Sequence, residues 1–101
     1  TTVNRERGEI MNTISRFLHL QNTQLTDEHN LILTDDVVLK DGSILQFDNK
    51  GYLHGTIECD DGQLEYWVHG RLHGNPAVVS GDLNTREHWQ NGVFISCEKL
   101  K

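Results

Sequence analysis

Four histidines, His54, His69, His73 and His88, together with Cys59, are the residue types from which this 101-residue chain could build a zinc site. Three imidazoles about 2.1 Å from one ion would support metal-activated water and hydrolysis. Their spacing argues otherwise. His54 and His73 each stand in a Leu-His-Gly triplet, and equivalent positions of successive hairpins lie two strands or about 9–10 Å apart. His69 and His73 flank one glycine turn, but Asn91 takes the matching turn position further along, which marks His69 as a turn former. A structural role is preferred for all four, and no cofactor is expected. A small metal-dependent or hydrolytic enzyme using the same set is the alternative.

Nucleophilic chemistry has less support. Cys59 and Cys97 lack CxxC spacing and read as reduced thiols of a cytoplasmic protein. No Gly-rich elbow or phosphate loop accompanies either. Glu65 and Glu87 could resemble the carboxylate pair of a glycosidase. They recur in step with Trp67 and Trp89, however, and are read as solvated carboxylates or as partners of Arg71 and Arg86. The tryptophans are either core fillers or anchors for a partner. Trp67, Trp89, Glu65, Glu87 and His69 therefore form the candidate binding surface, with no catalytic residue among them.

Positioning these side chains requires a framework, and glycine punctuation supplies it. Asp41-Gly42, Lys50-Gly51, Asp61-Gly62, His69-Gly70, Gly81-Asp82 and Asn91-Gly92 each offer a tight turn. The intervals predict six to seven antiparallel strands of about five to eight residues. Alternation in LEYWV puts Glu65, Trp67 and His69 on one face and Leu64, Tyr66 and Val68 on the other. Upstream, Ile10, Met11, Ile14, Phe17 and Leu18 have helical spacing, which predicts an amphipathic helix over 9–20 lying on the sheet face opposite the tryptophans.

The expected fold class is thus α+β in one compact domain, with helix and connector in 1–30 and an antiparallel β-repeat sheet in 31–101. Net charge is −6, and residues 31–101 carry the excess of acids. This weighs against nucleic acid and anionic membrane surfaces, and no apolar run approaches the ~20 residues of a membrane span. The first ten residues lack both a leader's apolar core and an initiating Met, which suggests a trimmed or excised chain with Met11 as a native start.

Aligned by hairpin, Tyr52-Leu53-His54-Gly55 matches Arg71-Leu72-His73-Gly74, and Phe47, Trp67 and Trp89 each precede a turn glycine at 51, 70 and 92. A third copy, Val93-Phe94-Ile95, keeps the apolar position and loses His-Gly. This pattern over residues 37–97 resembles the MORN repeat and its divergent bacterial and phage relatives, which include antitoxin-like proteins. The resemblance implies stacked hairpins serving as scaffold or protein-binding surface. The expected function is a non-catalytic protein-binding module, antitoxin-like or inhibitor-like, using the aromatic and acidic sheet face. Its partner is another protein of basic or mixed surface, with homo-oligomerisation through edge strands as a further option. A piece of a longer repeat scaffold is the third reading.

Overall fold

A computed structural model describes residues 13–100. Its strands are β1 (Val37–Val38), β2 (Ile44–Leu45), β3 (Gly55–Glu58), β4 (Leu64–Val68), β5 (Arg71–Leu72), β6 (Gly74–Val79), β7 (Thr85–Gln90) and β8 (Val93–Lys99). They form one antiparallel sheet in the order β1-β2-β3-β4-β6-β7-β8, with β5 paired to β4. The meander arises because each predicted glycine dipeptide falls on a turn. At His69-Gly70 and Asn91-Gly92 both residues have positive φ, the geometry whose twist matches flanking antiparallel strands. At Gly81-Asp82 the left-handed residue is instead Leu83 (φ 66°).

The expected α+β class is corrected to a nearly all-β fold. Of the helix predicted over 9–20, residues 9–12, including Ile10 and Met11, lie outside the described residues. The described remainder is non-helical to Phe17 and contains only a 3₁₀ turn, Leu18–Leu20. The segment also runs over the tryptophan face rather than the opposite one, since it bonds to Glu65 and Glu87.

The reason is hydrogen-bond supply. Register aligns Ile57, Glu65, Val78, Glu87 and Cys97 in one row across β3, β4, β6, β7 and β8. Two carboxylates in this row are buried and need donors. A helix consumes its own interior N–H groups, whereas an open chain leaves them free to point at the sheet. Thr, Ile and Ser also have mediocre helix propensity.

The core lies on that face. Leu45, Leu53, Ile57, Cys59, Trp67, Leu72, Ala77, Val78 and Trp89 are buried together with Phe17 from the covering segment. Gly55 pairs with Trp67 and Gly74 with Trp89. Directly opposed residues share a face, so each His-Gly glycine lies beside the next unit's indole.

Candidate functional site

Glu65 and Glu87 are 0% and 1% exposed. Each accepts a hydrogen bond from the indole N–H two residues on, Trp67 at 3.2 Å and Trp89 at 3.1 Å. Alternation along a strand makes this local, because residues two apart stand side by side on one face. The Glu-x-Trp motif is therefore a prebuilt acceptor in each of two units.

The rest of each carboxylate's coordination comes from the covering segment. Glu87 accepts from the Thr13 hydroxyl and, at 2.8 Å, from the Ile14 N–H. Glu65 accepts from the Ser15 hydroxyl at 2.9 Å and the Arg16 N–H at 2.7 Å. One hydroxyl and the following main-chain amide thus go to each carboxylate, and the pattern advances two residues per unit. Gln63 adds its amide nitrogen to Glu65 at 2.9 Å and to the Ile14 carbonyl at 2.7 Å. Hydrogen bonds to charged acceptors contribute about 1.5–3 kcal/mol each. Arg16 also reaches the turn carboxylates of Asp60 and Asp61, an exposed pairing of about 0–1 kcal/mol.

Beyond this seat the segment doubles back over the hairpin ends. Gln21 accepts from the Leu72 N–H at 2.9 Å, Asn22 donates its N–H to the Gly70 carbonyl at 2.8 Å, and Leu25 donates to Gly51 at 2.9 Å.

The sequence-selected residues separate into two groups. Trp67, Trp89, Glu65 and Glu87 come together, buried beneath the chain's own segment and not solvated. Neither glutamate is held by Arg71 or Arg86; Arg71 bonds Asn22. His69 lies apart at an exposed turn, where its Nδ1 stands 2.8 Å from Asp48.

The histidines fall into a repeated structural arrangement. His54 Nδ1 accepts the N–H of His69 at 3.0 Å, and His73 Nδ1 accepts that of Asn91 at 3.0 Å. Each Leu-His-Gly histidine thereby caps the turn of the next unit. His88 stands 3.6 Å from Glu98, and its buried Nδ1 has no hydrogen-bond partner among the described residues. Among the described residues, no three His, Cys, Asp or Glu converge as a metal-holding group. Burial, helped by the charge of Glu65, pushes the Cys59 thiol up to about 12.

Sequence reasoning missed Thr13, Ile14, Ser15, Arg16 and Gln63. The available signal was the Thr-x-Ser alternation, which overlaps a helical apolar spacing. The outer strand β8 is exposed along its length, including Val93, Phe94 and Ile95. Among the described residues, no helix is long and apolar enough to cross a membrane. Comparison with protein-family models, curated proteins and solved structures finds no match.

Proposed function

We propose that this chain is a non-catalytic protein-binding module, antitoxin-like or inhibitor-like, whose tryptophan and carboxylate face takes an extended segment of a partner protein. The observation that carries this reading is the seating of Thr13–Arg16 across Glu65 and Glu87. Half of the donors supplied by that segment are main-chain amides, which any polypeptide possesses. The chain's own segment stands where the partner's would lie.

The reading of the hairpins as MORN-like units, built for stacking and binding, supports the same proposal. A net charge of −6 favours a partner of basic or mixed surface and speeds their encounter. Two free cysteines are in keeping with a cytoplasmic setting. A thiol held near 12 is a poor nucleophile at neutral pH, which supports binding over hydrolysis by Cys59.

The test is titration of a peptide of residues 12–18, NTISRFL, carrying an N-terminal dansyl group that quenches indole emission by energy transfer, into the full chain while following tryptophan fluorescence. Exchange with the resident segment should give a saturable change. An unchanged spectrum up to about 1 mM, the effective concentration of a short tether, contradicts the proposal.

A further inference from the structure

Each unit's contribution to the seat can be compared position by position. Counting from the aromatic of each hairpin, Glu87 precedes Trp89 by two, Glu65 precedes Trp67 by two, and Leu45 precedes Phe47 by two. The covering segment crosses these units in reverse order. Thr13 and Ile14 meet Glu87, and Ser15 and Arg16 meet Glu65. The next residue in the same step of two is Phe17, buried in the same apolar cluster as Leu45. Where the sheet carries Glu, the segment carries a hydroxyl residue, and the next step brings Phe17 into the apolar cluster that includes Leu45.

The neighbouring position follows the same division. Gln63, beside Glu65, donates to the carboxylate and to the Ile14 carbonyl. Its counterpart beside Leu45 is the shorter, buried Ser43, for whose hydroxyl the described residues show no hydrogen bond to the covering segment. Phe47 in the aromatic place brings no N–H, and Leu45 needs none. The intervening side chains are less constrained. Ile14 is partly buried against the core, while Arg16 points to Asp60 and Asp61 at the surface.

Resting on the binding-module reading, we propose that the face recognises an extended peptide of the form (Ser/Thr)-x-(Ser/Thr)-x-aromatic, read one dipeptide per repeat unit. Each glutamate selects a hydroxyl and requires a free N–H on the following residue, and the Leu45 unit selects an aromatic. A polar site left short of its donor discriminates far more strongly than an apolar pocket missing a methylene. Proline at either x position removes a required donor.

The test uses the full-length chain and its T13V/S15A variant, whose own segment lacks both hydroxyls and competes less. Fluorescein-labelled TISRFL, VIARFL and TPSRFL are titrated into each, with anisotropy as readout. The proposal expects TISRFL to bind the variant at least about tenfold more tightly than wild type. It expects VIARFL and TPSRFL to bind the variant at least about tenfold more weakly than TISRFL, where tenfold is about 1.4 kcal/mol. If the variant does not fold, the ratios among peptides are read on wild type, where the resident segment competes equally against all three. Equal affinities for all three peptides overturn the dipeptide code while leaving the binding module intact. Absence of binding by every peptide to natively folded protein overturns both.

Discussion

Glu65 and Glu87 stand in one row of the sheet, each directly opposite Val78, so that a single buried valine separates two buried carboxylates on β4 and β7. The arrangement would be costly without donors, because an unpaired buried charge opposes folding by several kcal/mol. The donors are two indoles, one glutamine, two hydroxyls and two main-chain amides. The residues holding the segment thus also govern the stability of the sheet.

That dependence separates the two carboxylates. Glu65→Gln places an amide group among four donors, two on each original oxygen, whereas Glu87→Gln faces three. Urea denaturation should show a loss of about 2–4 kcal/mol for Glu65→Gln and a smaller one, about 1–3 kcal/mol, for Glu87→Gln. Equal stability of wild type and both variants would mean that these carboxylates are not buried as described.

His54 and His73 perform the same cap in successive units, but only His54 also stacks on a histidine ring, that of His69, with centroids 4.4 Å apart. Thermal melts should show His54→Ala and His73→Ala each destabilising by about 0.5–1.5 kcal/mol, with His54→Ala the more costly. Chelator should leave the wild-type melting temperature unchanged. A chelator-induced fall would favour the metal-enzyme alternative over capping.

Acid should weaken the first unit's turn through Asp48. Burial acts to raise its pKa, but the hydrogen bond with His69 and the N–H groups of Tyr52 and Lys50 bring it below the usual carboxylate value. A depressed folded pKa contributes stability that is fully present above the unfolded value of about 3.9 and lost as pH falls through the folded one. Asp41 and Asp82 are lowered too, chiefly by the Ser43 N–H and the Ser80 hydroxyl respectively. The melting temperature of wild type should exceed that of Asp48→Asn above about pH 4, with the gap closing towards pH 2. A gap independent of pH would remove the ionic contribution.

The legible part of this architecture was what lies close in sequence. Turn dipeptides such as Asp61-Gly62 and Asn91-Gly92 declare hairpins through their backbone preferences. Alternation in LEYWV declares which residues share a face, and the recurrence of Glu-x-Trp declares equivalent positions. What stayed hidden depends on partners far apart. Ile14, Phe17 and Leu18 fit a helical stripe, and nothing within 13–20 shows that carboxylates 49 and 73 residues onward will draw its amides out of a helix. Buried glutamate also runs against the ordinary preference for exposure, so solvated Glu65 and Glu87 were the natural expectation. Their relation to tryptophan two residues on was visible, but its meaning required the donors of the covering segment.

The central claim is that main-chain amides of the covering segment are held by buried carboxylates, and amide hydrogen exchange observed by NMR reads this directly. The N–H groups of Ile14 and Arg16 should exchange with protection close to that of the central β4 and β7 amides, and Glu65→Gln should selectively reduce protection at Arg16. Exchange of both amides at the rate of an unstructured peptide, in a chain whose β4 and β7 remain protected, would contradict the account.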